Sequence, residues 1–236
     1  MEVIILAGGL GTRLRPSIEK VPKCLAPVLG KPFLWYLFAY LSKYDVDKVI
    51  LSVGYLRELV FEWVSGVSDH FSFEIDYAIE SSPLGTGGGI KNAMTKVNGN
   101  NAIILNGDTL FCVDLNVFLE KHLTSRCDIS LALKPFFNFD RYGSVEYDYS
   151  TFKIMSFKEK IFCEKGLING GVYIINRQNT IFDNYPICFS FESFLQETCQ
   201  SNRLNGVIQD VFFIDIGVPE DYKRAQHDLL NFNDII

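Results

Sequence analysis

The stretch Val3-Ile4-Ile5-Leu6-Ala7-Gly8-Gly9-Leu10-Gly11-Thr12-Arg13 passes from large apolar side chains straight into glycines and then a guanidinium. An apolar run this short, with no polar alternation, predicts a strand covered on both faces of a sheet. Glycines just beyond a parallel strand let the backbone come close to a ligand and turn its N–H groups toward phosphate oxygens. The carboxyl end of a strand is also where open α/β sheets bind ligands. Two familiar phosphate loops fail on inspection. A Walker A loop needs Gly-Lys-Ser/Thr, whereas Gly11 is followed by Thr12-Arg13; a dinucleotide fingerprint needs a third glycine, which Gly9-Leu10-Gly11-Thr12-Arg13-Leu14 lacks. What remains is Arg13 followed by Lys23, two cations that could clamp a polyphosphate or simply sit solvated beside a glycine turn.

Outward from this loop the pattern repeats. Residues 3–6, 49–53, 73–79 and 102–105 read as strands, and 33–44, 56–64 and 86–97 as helices between them. This alternation predicts an α/β fold with a doubly wound and mostly parallel sheet and right-handed crossovers. After about residue 128 the rhythm changes. Strand-like runs at 129–134, 144–148, 153–158 and 171–175 are joined by turns, and helical patterns return at 191–200 and 220–231. A small antiparallel insertion, forming a lid or wall, is expected there. One domain over 1–236 follows, with halves at about 1–127 and 128–236.

The bulk properties narrow the partners. A formal net charge of −6 argues against nucleic acid, which is gripped by clustered Lys and Arg. Cys24, Cys112, Cys127, Cys163, Cys188 and Cys199 are scattered without a C-x-x-C pair, which points to reduced thiols in the cytoplasm rather than zinc or disulfides. No stretch approaches the roughly 20 apolar residues of a membrane span, and the N-terminus has no basic region of a signal peptide. His70, His122 and His227 lie apart from every motif, and no serine sits in a nucleophile elbow, so a covalent intermediate is not expected.

The residues from Leu6 to Pro16, followed by Pro22-Lys23-Cys24-Leu25-Ala26-Pro27-Val28-Leu29-Gly30-Lys31-Pro32, resemble the signature of sugar nucleotidyltransferases, L-A-G-G-x-G-T-R-L-x-P then P-K-x-L-x-P-V-x-G-K-P. The resemblance implies a Rossmann-like α/β fold, that of the nucleotide-diphospho-sugar transferases. It also implies that Leu6, Ala7, Gly8, Gly9, Gly11 and Thr12 cradle the nucleotide, while Arg13 and Lys23 act on its phosphates.

Three later segments extend the resemblance over nearly the whole chain. In Glu80-Ser81-Ser82-Pro83-Leu84-Gly85-Thr86-Gly87-Gly88-Gly89 the family reads the base, here through Glu80, Pro83, Gly85 and Thr86. A carboxylate accepts both the N1–H and the 2-amino hydrogens of guanine, while uracil and thymine offer one donor flanked by repelling carbonyls. Glu80 therefore favours GTP; its plainer role would be to cap the following helix. In Asn106-Gly107-Asp108-Thr109 the resemblance adds Gly107 to the nucleotide site. It makes Asp108, with Asp215 of Phe213-Ile214-Asp215-Ile216-Gly217, the ligands of Mg²⁺, an ion held by one or two carboxylates plus waters and phosphates. Around the sugar 1-phosphate it places Gly143, Glu159, Lys160, Asn169 and Gly171, with Arg141 nearby. Plainer roles exist here too: a solvated pair for Glu159-Lys160 and a hairpin turn for Asn169-Gly170.

The implied reaction is an in-line displacement. An oxygen of the sugar 1-phosphate attacks the α-phosphorus of the triphosphate and pyrophosphate leaves, with no general base needed because the nucleophile is already anionic. Within the family the chain resembles most the guanylyltransferases that act on D-glycero-α-D-manno-heptose 1-phosphate. Those acting on mannose 1-phosphate, and uridylyltransferases for an amino-sugar 1-phosphate, are the rivals. A non-catalytic nucleotide-sugar sensor is disfavoured because Arg13, Lys23, Asp108 and Asp215 are all present. A homodimer is compatible with the resemblance, no membrane or nucleic-acid partner is expected, and no additional domain of the kind longer relatives carry is expected.

Overall fold

The computed structural model describes residues 1–9, 21–158, 160–178, 182, 184–201 and 203–235. Strand β1 (Glu2–Leu6) leads to a short hairpin of β2 (Pro27–Val28) and β3 (Lys31–Pro32). Then come α1 (Phe33–Leu41), β4 (Lys48–Val53), α2 (Arg57–Val67), β5 (Glu74–Ile79), α3 (Gly85–Met94), β6 (Asn101–Asn106), β7 (Thr109–Phe111) and α4 (Leu115–Ser125). The second half runs β8 (Ile129–Phe139), β9 (Ser144–Asp148), β10 (Lys153–Phe157), β11 (Cys163–Asn176), α5 (Phe191–Thr198), β12 (Leu204–Ile208), β13 (Phe213–Asp215), α6 (Pro219–Asp228) and α7 (Phe232–Ile235).

One nine-stranded sheet, ordered β5-β4-β1-β6-β11-β8-β12-β10-β9, spans both halves. Strands β5, β4, β1 and β6 are parallel, with Ile4 level with Ile50 on one side and Ile104 on the other. Beyond them the sheet becomes mixed: β11 is antiparallel to both β6 and β8, β12 is parallel to β8, and β10 and β9 extend it antiparallel. The expected antiparallel addition is therefore a continuation of the sheet.

Strands β1, β4 and β6 are apolar on both faces because both are covered, whereas β5, at the sheet edge, carries Glu74 and Asp76. Val3 and Ile5 pack with α1, α2, α4 and α6 residues such as Phe38, Val60, Phe118 and Ala225, while Ile4 packs with Ile90 of α3 and Phe194 of α5. Helix α1 is apolar all round and almost wholly buried. It stops at Leu41, short of the expected residue 44, where Ser42 Oγ donates back to the Phe38 carbonyl at 2.9 Å. Helix α4 lies in a stretch for which no helix was expected; Asp114 caps it by accepting the backbone N–H groups of Asn116 and Val117, both at 3.0 Å.

Asn169-Gly170 is not a hairpin turn. It lies inside the 14-residue β11, at a register shift between Asn169 and Tyr173 where the partner strand changes from β9 to β6. Gly171 there has φ +73°, and a Cβ on it would stand 2.5 Å from Asn106 Nδ2. Among the described residues no helix is long and apolar enough to cross a membrane.

Candidate active site

Parallel registry brings four strand ends to one edge. Leu6 is level with Ser52 and Asn106, and Val53 with Ile79, so the residues that follow, Ala7–Gly9, Gly54, Glu80 and Gly107-Asp108, emerge together. There Gly8, Gly9, Gly54, Glu80 and Asp108 line a cavity of about 810 Å³ to which residues of both halves of the chain contribute. Its wall contains Leu6, Gly8, Gly9, Lys23, Glu80, Pro83, Gly85, Thr86, Asp108, Lys160 and Asp215 of the expected site residues. Ala7, Gly107, Gly143, Asn169 and Gly171 do not line it. Gly11, Thr12, Arg13 and Glu159 lie outside the described residues.

The off-wall residues shape the cavity from behind. Ala7 N–H donates to the Ser52 carbonyl at 2.8 Å and Gly107 N–H to that of Leu6 at 3.0 Å, stitching β1 to its neighbours where the strands end. A Cβ on Gly107 would stand 2.5 Å from the Leu6 carbonyl oxygen, and one on Gly143 would stand 2.7 Å from that of Lys158. Asn169 donates to the Tyr173 hydroxyl at 2.9 Å and accepts the Gly171 N–H at 3.1 Å, which fixes the bend in β11.

At the charged end of the cavity, β7 pairs antiparallel with β13 so that Asp215 is level with Thr109, and Ile216 N–H donates to the Asp108 carbonyl at 2.9 Å. Two aspartates more than 100 residues apart in the chain thus face one another. Lys23 forms an ion pair with Asp108. It is presented by a 3₁₀ turn, Lys23–Leu25, which buried Cys24, Leu25 and Ala26 hold to the core. A Cβ on Gly217 would lie 2.7 Å from Asp215 Oδ1 and 3.1 Å from Lys23 Nζ, so glycine there leaves room for both groups. Burial raises the Asp215 carboxyl to about 6; the neighbouring Asp108 charge pushes the same way, and Lys23 opposes it. A cation at this spot relieves that repulsion.

At the opposite wall Glu80 follows β5. Its Oε1 accepts from Ser52 Oγ at 3.1 Å and its Oε2 from Leu84 N–H at 3.2 Å. The helix-entry role therefore exists in part, yet a carboxylate has about four acceptor positions, of which the described residues use two. Gly8 is glycine for a local reason: a Cβ there would come within 2.7 Å of Glu80 Oε1.

The wall also holds Arg141, which the resemblance placed near the sugar 1-phosphate, and residues to which the sequence reading gave no role. Arg141 is bound by both oxygens of buried Asp221, with NH1 at 2.8 Å from Oδ2 and NH2 at 3.1 Å from Oδ1, and Arg224 approaches the same carboxylate at 3.2 Å. Tyr142 packs against Phe136 and Phe213, and burial with the charge of Asp215 raises its hydroxyl well above the ordinary range. Tyr55, Arg57, Asn106 and Glu192 also line the wall. For Tyr142 the signal was its place between Arg141 and Gly143. For Asp221 and Glu192 it was an acid in the first turn of a helix following a strand or a serine, a common pattern with little power to discriminate.

Three consecutive glycines in α3, unfavourable for a helix, answer to a close neighbour. A Cβ on Gly87 would meet the Phe189 ring at 2.2 Å and one on Gly88 would meet the Ile187 carbonyl at 2.2 Å. The Phe189 carbonyl accepts the Gly87 N–H at 3.0 Å, so the segment before α5 docks onto the first turn of α3.

Comparison with known proteins shows what the whole chain is similar to. A family model described as nucleotidyl transferase matches residues 2–231. D-glycero-α-D-manno-heptose 1-phosphate guanylyltransferases of Aneurinibacillus thermoaerophilus and Campylobacter jejuni are each 45% identical to the chain over 233 residues, covering 98% of it and 100% of the relative. The crystal structure of HddC from Yersinia pseudotuberculosis complexed with GMP-PN is similar with a TM-score of 0.83 and 34% identity, covering 97% of this chain and 99% of that one.

Proposed function

The chain belongs to the nucleotidyl transferase family, and from that premise we propose that it transfers GMP from GTP to a sugar 1-phosphate, D-glycero-α-D-manno-heptose 1-phosphate, with release of pyrophosphate. The observation that carries the reading is the cavity itself. One wall holds the Lys23–Asp108–Asp215 cluster and another holds the carboxylate of Glu80, among residues drawn from both halves of the chain. The likeness to the heptose enzymes over their full length supports the choice of sugar.

In this reading the first-half wall binds the nucleotide, with Glu80 accepting the N1–H and 2-amino hydrogens of guanine. Lys23 and Arg13 neutralise the phosphates, and Lys160 with Glu159 holds the sugar 1-phosphate. An anionic oxygen of that phosphate forms a bond to the α-phosphorus as the bond to the bridging β-oxygen breaks. No proton needs to move, so positioning and charge neutralisation supply the catalysis. Asp108 and Asp215 suit a hard divalent ion such as Mg²⁺, which takes few carboxylates and completes its shell with water and phosphate oxygens. Bound there, the ion would offset the negative charge of the triphosphate. Reduced thiols and a cytoplasmic location belong to the same proposal.

The test is pyrophosphate release with Mg²⁺ for GTP, ATP, UTP, CTP and dTTP against heptose, mannose and glucosamine 1-phosphates. GTP with the heptose is expected to give the highest kcat/KM. Release with no pair would overturn the enzyme reading, and a preference for UTP would overturn the role of Glu80.

A further inference from the structure

We propose that Glu192 is a specificity-determining residue that accepts hydroxyl hydrogens from the sugar of the sugar 1-phosphate; this rests on the guanylyl-transfer reading above. Glu192 lies in the first turn of α5 and lines the cavity. Its Oε2 accepts two hydrogen bonds, from Thr86 Oγ1 at 2.9 Å and from Ser190 Oγ at 2.8 Å. Among the described residues Oε1 receives none. The carboxylate is thus held by one oxygen while the other is open, the state of a preorganised acceptor.

Its position is fixed from both sides. Thr86 Oγ1 also accepts the Phe191 N–H at 2.8 Å, and the Phe189 carbonyl seats the segment before α5 on the Gly87 amide. These contacts tie the start of α5 to the start of α3, which a helix-capping acid alone would not need. On its other side is the bend of β11. The charges of Glu192 and Asp108 both disfavour ionisation of the buried Tyr173 hydroxyl, which receives the Asn169 amide. Glu192 belongs to the part of the wall that the second half of the chain contributes, and the Lys23–Asp108–Asp215 cluster lines the same cavity. A polyhydroxylated ring attached to a phosphate at that cluster would present its hydroxyls there. A carboxylate oxygen accepts from a hydroxyl but has nothing to offer a ring carbon lacking one, and a bulky acylamino substituent would displace it.

The test compares steady-state kinetics of wild type, Glu192→Gln and Glu192→Asp, with GTP and heptose 1-phosphate varied separately. Both variants are expected to raise KM for the sugar 1-phosphate about 10- to 100-fold and to leave KM for GTP within about twofold, because one charged hydrogen-bond acceptor is weakened or withdrawn. A residue serving only to join α5 to α3 would instead lower the unfolding temperature and move both KM values. That result overturns the proposal, as does a selective rise in KM for GTP, which would assign Glu192 to the ribose. Should Glu192→Gln fail to fold, Glu192→Asp, which keeps the charge for Thr86 and Ser190, reads the same ratio. Wild type with no turnover at all refutes the underlying function; active wild type with unchanged variants refutes this proposal alone.

Discussion

His122 sits outside every motif, and the structure makes it a pH-sensitive part of the core. It is 3% exposed on α4, with Nδ1 2.8 Å from Ser130 Oγ and Nε2 3.1 Å from Asn101 Oδ1, while Asn205 Nδ2 donates to the same serine at 3.3 Å. This network pins α4 to β6, β8 and β12 near the start of β6, the strand end away from the cavity. Burial lowers the imidazole from 6.5 to about 4, against the opposing pull of Asp128. The folded protein then binds its proton less readily than the unfolded chain. The stabilising difference is complete above pH 6.5 and is lost as pH falls from 6.5 toward 4. A shift of this size corresponds to about 3 kcal/mol by linkage, a large share of the roughly 5–15 kcal/mol of a typical domain. The measurement is urea unfolding at several pH values between 4 and 7 for wild type and His122→Gln, which keeps a donor and an acceptor but cannot titrate. The difference between the two curves cancels the carboxylates common to both. It should fall by about 3 kcal/mol on going from pH 7 to pH 4. A difference that stays flat across that range would refute the argument.

Three further outcomes follow from the site. Lys23→Ala should lower kcat by about 10²- to 10³-fold with little change in thermal unfolding, as loss of one preorganised cation predicts; near-normal turnover would remove Lys23 from the reaction. Glu80→Gln should raise KM for GTP by about 10- to 100-fold and reduce the preference for GTP over ITP, which lacks the 2-amino group; an unchanged GTP/ITP ratio would confine Glu80 to its bonds with Ser52 and Leu84. Gly107→Ala places a methyl 2.5 Å from the Leu6 carbonyl oxygen, so it should cost about 1–3 kcal/mol in chemical unfolding and disturb activity as well; wild-type stability would show that β1 and β6 can part without loss.

The first half of the fold was legible because its strands are buried on both faces and so leave continuous apolar runs, and because each ends in glycine or acid. Residues 49–53 and 102–105 landed inside β4 and β6 for that reason. Helix α4 escaped although Asp114 is a sound cap, since its Leu115, Phe118 and His122 make a short inner stripe among mixed neighbours. Asp108 and Asp215 were named as a pair by resemblance; the physical cause, the β7–β13 register, is a non-local pairing that no local pattern encodes. The same holds for Asn169, whose dipeptide with Gly170 favours a turn locally but is drawn through the sheet by pairing on both sides. Arg141 depends on Asp221, and Glu192 on Thr86, and those partners lie 80 and 106 residues away.

The central claim, guanylyl transfer to a heptose phosphate, is tested most directly by competition. Equimolar GTP, UTP, dTTP and ATP are incubated with D-glycero-α-D-manno-heptose 1-phosphate, Mg²⁺ and the enzyme, and the nucleotide sugars formed early are measured by mass spectrometry. Their ratios report relative kcat/KM directly. GDP-heptose should exceed each other product by about 100-fold or more, given a site built to pair with donors that the other bases lack. Equal or dominant UDP- or dTDP-heptose, or no nucleotide sugar at all, would contradict it.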